Sequence, residues 1–391
     1  MIARTLEPTL RELAQQYPVV TVTGPRQSGK TTLCRKVFPQ RPYRNLEAPD
    51  TRRFAEDDPR GFLASCEGGA VLDEIQRAPQ LLSYIQTIVD EDQRPGQFIL
   101  TGSQQFEVMN TVSQSLAGRT TLLKLLPLSL AEMAQAHPVE SVDRLLLTGF
   151  YPRIHAQGLS PTRALGDYFE TYVERDLRQL GAVRDLSQFE RFVRICAGRV
   201  GQLLNLQSLG NDVGVTHATA RNWLTLLEAS YIVFVLQPWH ANLSKRLVKT
   251  PKLYFYDVGL ASYLLGLENE TQVSRDPLRG NLFENLVVIE ALKHRYHQGR
   301  RANLFFYRDS NGNEVDLLAE SGRHLAAIEI KAGATINPDY FKGLHHLRKV
   351  IEGQWEMTGG VVYGGSEIQQ RSDALVHPAA ECGGLFTALG V

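Results

Sequence analysis

The sequence predicts an α/β fold that begins with a parallel sheet. Short runs rich in apolar and β-branched residues are typical of buried strands, and three occur early, at Val19–Thr23, Ala70–Asp73 and residues 97–101. The segments between them are long enough for crossover helices. Strands that alternate with helices at this spacing favour parallel pairing.

The composition excludes several classes of protein. Lys and Arg number 42, as do Asp and Glu, so this chain of 391 residues is not polybasic, although residues 151–265 carry a local excess of basic side chains. The four cysteines lack metal-ligand spacing and are too few for a disulfide framework. No apolar stretch approaches the roughly 20 residues of a membrane span, and the first residues do not resemble a secretion signal. We therefore expect a cytoplasmic protein without membrane contact.

A phosphate-binding loop follows the first predicted strand and leads into a predicted helix at residues 32–37. The loop fits the pattern G-x-x-x-x-G-K-T, and the predicted nucleotide site comprises Gly24, Pro25, Arg26, Gln27, Ser28, Gly29, Lys30, Thr31 and Thr32. Glycines allow backbone N–H groups to converge on phosphate oxygens at a helix N-terminus. In this pattern Lys30 contacts the β- and γ-phosphates, and the Thr31 hydroxyl binds Mg²⁺.

Polar residues follow the next two predicted strands. Asp73 lies where a Mg²⁺ ligand is expected, and Glu74 beside it is a candidate base for the attacking water. Ser103 is a candidate sensor of the γ-phosphate, although strand-to-loop turns also use serine for local reasons. Arg119 is either a surface arginine or a residue that reaches the nucleotide of a neighbouring subunit.

These segments together resemble the prokaryotic AAA-type ATP-binding proteins that carry a C-terminal domain of unknown function. The resemblance rests on segments that occur in this order: residues 24–33, 72–76, 100–103, 116–119 and 126–129. It covers nearly the whole chain and is most specific in the first third. It implies an AAA+ ATPase with Walker A and Walker B motifs, with Ser103 as the sensor and Arg119 as a candidate arginine finger.

The middle of the chain resembles a winged helix. Residues 205–235 predict a helix, a turn, a second helix capped by Thr216, and a strand. Such a second helix can enter the major groove of DNA. The candidate DNA contacts are Arg221, Lys245, Arg246 and Lys249. Modules of this type also serve as lids and subunit contacts, and that alternative stays open.

The last third resembles the restriction-endonuclease-like core known as PD-(D/E)XK. After a polar linker at residues 268–277, the pattern predicts a helix (280–296), a strand hairpin (304–320), a third strand (325–331), a helix (339–351) and a strand (360–363). The candidate metal ligands are Glu284, Asp316 and Glu329, with Lys331 directed at the scissile phosphate. The alternative is a cluster of surface salt bridges.

We therefore predict a P-loop AAA+ ATPase domain at residues 1–160, a winged-helix region at 161–267 and a nuclease-like α/β domain at 268–391. The predicted function is Mg²⁺-dependent binding and hydrolysis of ATP, coupled to a nucleic-acid partner, with DNA as the first choice. One alternative is a DNA endonuclease gated by ATP. Another is non-catalytic recognition of protein or nucleic acid by the C-terminal domain. The oligomeric state is left open, and a homo-oligomer is compatible with the role proposed for Arg119.

Overall fold

The computed structural model describes residues 2–66, 68–103, 115–136, 141–173, 185–239 and 248–391. In this part of the chain the first third forms a five-stranded parallel sheet in the order β2-β3-β4-β1-β5. Its strands are β1 (Val19–Thr23), β2 (Tyr43–Asn45), β3 (Ala70–Asp73), β4 (Phe98–Gly102) and β5 (Thr120–Lys124). The predicted parallel α/β sheet is therefore confirmed.

Helices cover both faces of this sheet because its central strands are buried on both sides. They are α1 (Glu7–Leu13), α2 (Lys30–Val37), α3 (Pro49–Asp57), α4 (Pro59–Ala64), a short 3₁₀ turn (Ile75–Arg77) and α5 (Leu81–Glu91). Helix α2 begins at Lys30, so the phosphate-binding loop joins β1 directly to the helix N-terminus.

A helical region follows the sheet. Its elements are α6 (Leu130–Ala136), α7 (Val142–Thr148), α8 (Pro152–Gln157), α9 (Pro161–Tyr168), a π-helical turn (Phe169–Val173), α10 (Leu186–Ala197), α11 (Leu206–Val213) and α12 (His217–Ala229). The α12 helix buries Ala220, Trp223, Leu224 and Leu227, as its apolar spacing predicts. The Thr216 hydroxyl accepts a hydrogen bond from the Thr219 N–H at 3.1 Å, which confirms the predicted cap.

The rest of the described chain forms an eight-stranded mixed sheet in the order β12-β13-β11-β10-β9-β8-β6-β7. Its strands are β6 (Val233–Pro238), β7 (Lys252–Phe255), β8 (Leu304–Arg308), β9 (Glu314–Ser321), β10 (His324–Lys331), β11 (Glu356–Tyr363), β12 (Gln369–Gln370) and β13 (Leu375–Pro378). The helices are α13 (Val258–Leu264), α14 (Glu270–Arg275), α15 (Arg279–His297), a 3₁₀ turn (Pro338–Phe341), α16 (Lys342–Ile351), a 3₁₀ turn (Ala379–Glu381) and α17 (Cys382–Leu389). Helix α15, the antiparallel strands β8 to β10, helix α16 and the parallel strand β11 follow in the predicted order.

Two expectations about the boundary between the middle and the last third differ from the structure. The predicted linker at residues 268–277 contains helix α14, because Asn269 and Gln272 form a capping box and Val273 packs inside. The predicted wing strands β6 and β7 pair with each other, but Gln237 of β6 also pairs with Phe305 of β8. The second sheet therefore contains strands from both sides of the predicted domain boundary at residue 267, because the last residues of β6 pair with β8.

Helix α15 lies at the centre of the second half. Most of its residues are buried, including the polar Asn285, Glu290 and Lys293. The Asn285 amide closes the edge of β7, since its Oδ1 accepts from the Phe255 N–H at 2.7 Å and its Nδ2 donates to the Phe255 carbonyl at 2.9 Å.

Within the described residues, no helix is long and apolar enough to span a bilayer.

We expect Asn285→Ala to lower the free energy of unfolding by about 2–4 kcal/mol, because it leaves a buried N–H and a buried carbonyl of Phe255 without partners. Urea denaturation followed by circular dichroism measures this change. Asn211→Ala, at an exposed position of α11, is the matched control and should change the free energy of unfolding by less than about 0.5 kcal/mol. Equal effects in both variants would contradict the role given to Asn285.

Candidate functional site

The phosphate-binding loop lies at the carboxyl edge of the parallel sheet, between β1 and α2. Gly29 has a φ of 92° and caps α2 in the left-handed region, which favours glycine. Gly24 has a φ of 150°, and a Cβ there would lie 2.1 Å from the Leu125 carbonyl oxygen. Both glycines are therefore required by the path of the backbone.

Lys30 is buried at the first turn of α2. Its Nζ donates to the carbonyl oxygens of Gly24 at 2.9 Å and of Pro25 at 2.8 Å, so the ammonium group folds back on its own loop. Burial lowers the pKa of Lys30, against the opposing effect of Glu74 and Asp73. The side chain is thus held in place by backbone carbonyl groups rather than by an ion pair.

Asp73, at the end of β3, accepts hydrogen bonds from hydroxyl groups on several elements. Thr31 Oγ1 of α2 donates to Asp73 Oδ2 at 2.9 Å, and the Tyr43 hydroxyl of β2 donates to the same oxygen at 2.6 Å. Thr101 of β4 donates to Asp73 Oδ1. The carboxylate of Asp73 is therefore fixed relative to Thr31 in the first turn of α2. Hydroxyl and carboxylate oxygens are hard ligands, so this donor set suits Mg²⁺.

Glu74 follows in an unusual backbone conformation. Its φ of 58° lies in the left-handed region, where a non-glycine residue is uncommon. Its carboxylate Oε2 accepts from Ser103 Oγ at 3.0 Å and from the Gln76 amide. The structure therefore brings Ser103 against Glu74, both at the edge that carries the loop.

A cavity of about 460 Å³ opens beside the loop. Among the predicted binding residues, Arg26, Gln27, Gly29, Lys30, Thr31 and Thr32 line it. Gly24, Pro25 and Ser28 do not; they shape the loop behind it. Ile2, Leu128 and helix α8 also line it, so the cavity has both polar and apolar lining residues. Its volume suits a nucleotide-sized ligand.

Arg4 supports the loop from behind. Its guanidinium donates to the carbonyl oxygens of Ser28 and Leu126 and forms an ion pair with the buried Glu132 at 3.1 Å. Burial favours a neutral Glu132, but Arg4 and His297 outweigh it and lower the pKa of this carboxyl. The N-terminal segment thus fixes the position of the loop through a compensated buried charge.

Arg119 lies far from the loop of its own chain. It precedes β5, whose register with β1 places it at the amino edge of the sheet, about 16 Å from the edge that carries the loop. Its guanidinium pairs with Asp90, with one nitrogen at 2.8 Å from Oδ2. The structure therefore does not bring Arg119 to the site with Lys30 and Glu74.

The candidate DNA contacts are only partly described. Arg221 and Lys249 are exposed, the first on the outer face of α12 and the second in the segment before β7. Lys245 and Arg246 lie outside the described residues. The exposed side chains of His217 and Asn222 share the outer face of α12 with Arg221.

The acidic residues of the last third come together at one end of the second sheet. Lys331 Nζ lies 2.7 Å from Asp316 Oδ2 and 2.6 Å from Glu329 Oε2. Glu284, on α15, accepts from Lys252 Nζ at 2.8 Å and from the Tyr254 hydroxyl at 2.5 Å. We call Lys252, Glu284, Glu314, Asp316, Glu329 and Lys331 the C-terminal acidic cluster.

The charges of this cluster compensate one another. Burial and Asp316 raise the pKa of Glu329 to about 8, against Lys331. Burial opposes the charged form of Lys331, but Asp316 and Glu329 outweigh it and raise the pKa of this lysine. Glu284, Glu314, Asp316 and Glu329 thus each contact a lysine ammonium group. In the described residues no group of three or more His, Cys, Asp or Glu side chains is placed to hold a metal ion.

The predicted metal site therefore does not fit this arrangement. The carboxylates of Glu284, Asp316 and Glu329 converge as expected. Each of them is bonded to a lysine ammonium group, however, whereas a divalent cation needs oxygens that are free to coordinate it. The physical reason is burial, because carboxylates removed from water need positive partners. The sequence pattern located Lys331 but not Lys252, which comes from β7 in the preceding region.

Sequence reasoning also missed Tyr43 and Arg4. Both act through a single side chain that reaches another element, and neither belongs to a contiguous motif. Nothing in the local pattern of β2 or of the N-terminal segment distinguishes them. Gln76, which also contacts Glu74, lies in a segment that supported the resemblance, and its proximity to Asp73 and Glu74 was the available signal.

Comparison with family models divides the chain into three matches. Residues 16–134 match an AAA domain. Residues 139–271 and 279–382 match two domains of unknown function, DUF8612 and DUF4143. The first match agrees with the predicted AAA-type domain at the N-terminal end.

Among solved structures, the chain is similar to the Walker-type ATPase of Pyrococcus abyssi, with 17% identity over 68% of this chain and 96% of that chain and a TM-score of 0.43. It is also similar to AMPPCP-bound DnaA from Aquifex aeolicus, with 14% identity, coverage of 57% and 85%, and a TM-score of 0.30.

Curated relatives align over most of the chain. The uncharacterized protein Rv2008c of Mycobacterium tuberculosis is 34% identical over 331 residues, which cover 83% of this chain and 73% of the relative. Mb2031c of Mycobacterium bovis gives the same values. An uncharacterized protein of Haemophilus influenzae is 24% identical over 265 residues, 64% of this chain and 62% of that protein. With an AAA domain at its N-terminal end, this chain belongs to the family of the mycobacterial proteins Rv2008c and Mb2031c.

Proposed function

We propose that this chain is a Mg²⁺-dependent ATPase whose nucleotide cycle acts on a nucleic-acid partner, with duplex DNA as the first choice. The observation that carries the ATPase proposal is the convergence of Lys30, Thr31, Asp73 and Glu74 at one edge of a parallel sheet, beside a cavity of about 460 Å³. The AAA family match supports ATP as the nucleotide.

The loop and α2 supply the binding groups. The N-terminus of α2 and the loop N–H groups favour phosphate oxygens, and Lys30 adds a full positive charge near the β- and γ-phosphates. Thr31 and Asp73 would hold Mg²⁺, since their oxygens lie 2.9 Å apart. When bound, the ion supplies charge that stabilises the developing negative charge on the phosphate oxygens.

Glu74 is the proposed general base. A base must lie within hydrogen-bond reach of the water that it activates, and its carboxylate must be oriented. Ser103 and Gln76 donate to Glu74 Oε2, which leaves Oε1 as the oxygen to accept a proton from water. Glu74 adopts its left-handed conformation between the end of β3 and the 3₁₀ turn that begins at Ile75.

The proposed nucleic-acid contact is the outer face of α12 together with the segment before β7. A helix–turn–helix whose second helix is exposed on one face suits a major groove. Arg221 and Lys249 supply exposed positive charge there, and Lys245 and Arg246 belong to the same proposal. Cleavage of nucleic acid is not part of it, because all four carboxyl groups of the C-terminal acidic cluster are already bonded to lysines.

We expect Lys30→Ala to weaken ATP affinity by roughly 10- to 100-fold, because it removes a charge-assisted contact to the phosphates. We expect Glu74→Gln to retain affinity while reducing turnover by about 10²–10⁴-fold, because it removes the base and leaves the loop intact. Fluorescent-nucleotide binding and phosphate release measure the two effects. Lys349→Ala and Glu91→Gln, at exposed positions, are matched controls. Equal loss of binding in both site variants contradicts the assigned roles.

We expect Tyr43→Phe to raise the Mg²⁺ concentration needed for half-maximal phosphate release by about 10-fold, because the hydroxyl that orients Asp73 is lost. The ring and its contact with Arg35 at 4.8 Å remain. Nucleotide affinity in EDTA should be unchanged. Tyr84→Phe is the control, and an unchanged Mg²⁺ dependence in Tyr43→Phe shows that the hydroxyl does not position Asp73.

We expect Arg221→Ala and Lys249→Ala each to reduce the slope of log affinity against log salt by about one unit, since each removes one phosphate contact. Fluorescence anisotropy with a labelled duplex at several salt concentrations measures the slope. Arg323→Ala, in the exposed turn between β9 and β10, is the control. If the parent protein shows no salt-dependent binding to duplex DNA, the nucleic-acid part of the proposal is wrong and the ATPase part stands by itself.

A further inference from the structure

One lysine of the C-terminal acidic cluster comes from outside the helix and strands that carry the acidic residues. Lys252 comes from β7, whereas the acidic residues come from α15, β9 and β10. Its Nζ contacts Glu284 at 2.8 Å and also contacts Glu314. The two acidic residues that face Lys252 therefore meet one ammonium group from a different part of the chain.

Lys252 is held firmly in this position. Its side chain is 4% exposed, and its Nζ lies 5.4 Å from the centre of the Phe306 ring. The backbone around it is bonded to the segment before α11, where Leu204 N donates to the Pro251 carbonyl at 2.8 Å and Leu253 N donates to the Gln202 carbonyl at 3.1 Å. Because the Lys252 side chain is buried and its strand is hydrogen-bonded on both sides, a change of rotamer alone cannot move the ammonium group away from the acidic residues.

The remaining two carboxylates are bonded to a second lysine, whose side chain is 30% exposed. Lys331 bridges Asp316 and Glu329, and Ile330 N donates to Asp316 Oδ2 at 2.8 Å. Helix α16 closes the side of Glu329, because a Cβ on Gly343 would lie 2.0 Å from Glu329 Oε1. A divalent cation therefore competes with an ammonium group for at least one oxygen of each carboxylate in this cluster.

We infer that Lys252 is an internal cation that takes the place of a divalent metal and keeps the C-terminal acidic cluster metal-free. A metal ion would bind to the same carboxylate oxygens, so it competes with the lysine ammonium. Removal of the Lys252 charge leaves Glu284 without a cation, while Glu314 keeps its ion pair with Arg308. The hard oxygen ligands of the cluster then favour Mg²⁺ or Mn²⁺. Metal binding to this cluster is thus prevented by Lys252, which lies outside the helix and strands that carry the acidic residues.

The test is the binding of Mn²⁺ to the nucleotide-free full chain, measured by electron paramagnetic resonance. We expect no bound Mn²⁺ that depends on Glu284 in the parent protein. In Lys252→Met, which keeps much of the side-chain volume, we expect a gain of one Mn²⁺ per chain with a Kd below about 1 mM. The added substitution Glu284→Gln should abolish this gain. Melting temperature gives a second readout, because Mn²⁺ should raise it in Lys252→Met and leave that of the parent unchanged.

Controls separate this site from the nucleotide site. Lys349→Met, at an exposed position of α16, should bind Mn²⁺ as the parent does. The gained Mn²⁺ should persist when Asp73→Asn is combined with Lys252→Met. If Lys252→Met does not fold, Lys252→Gln removes the charge and keeps a donor for Glu284. The inference is overturned if the parent binds Mn²⁺ in a manner that Glu284→Gln abolishes, or if a folded Lys252 variant gains no Mn²⁺.

Discussion

The compensation of buried charge is the constraint on which the rest of this structure depends. Helix α15 is buried over most of its length, yet it carries Glu284, Glu290 and Lys293. A buried charge without a partner is strongly unfavourable, so these side chains need compensating partners. Glu284 fixes β7 through Lys252, whereas Glu290 and Lys293 form an ion pair with each other at 2.7 Å. Glu290 also accepts from Leu130 N at 2.9 Å, and Lys293 also donates to the Leu128 carbonyl at 2.7 Å. The helix thus joins the second sheet to the segment that follows the first.

The same constraint acts on the phosphate-binding loop. Arg4 and Lys30 are buried, and both donate to carbonyl oxygens of the loop itself, at Gly24, Pro25 and Ser28. The charge of Arg4 is compensated by its ion pair with Glu132. These bonds hold the loop in one conformation before a nucleotide binds. A preformed loop loses less conformational freedom on binding than a mobile one, which favours affinity. The N-terminal segment is therefore part of the nucleotide site, although it precedes the matched AAA domain.

The sequence was informative where chemistry is encoded in adjacent residues. The strand, the glycine loop and the helix after it were predicted from one contiguous pattern, although the helix begins at Lys30, two residues before the predicted start. The parallel sheet was predicted from the spacing of three separate strand segments. The sequence was uninformative about single side chains that contact an element distant in the sequence. Tyr43, Arg4 and Lys252 are single polar residues on elements distant in sequence from their partners, and their roles follow from tertiary contacts that no local period encodes. The polar segment before α15 looked like a linker because the residues that cap a short helix are the same residues that favour loops.

The nucleotide cavity and the C-terminal acidic cluster are connected through one short segment. Helix α8, which lines the cavity, follows Phe150, whose N–H donates to Asp257 Oδ2 at 2.7 Å. Gly149 approaches so closely that a Cβ there would lie 2.2 Å from Asp257 Oδ1. Asp257 comes two residues after β7, the strand that carries Lys252. Residues 252–257 therefore supply both the cation of the acidic cluster and the carboxylate that anchors one wall of the nucleotide cavity. One wall of the nucleotide cavity and one side of the acidic cluster are thus held by neighbouring residues of the same segment.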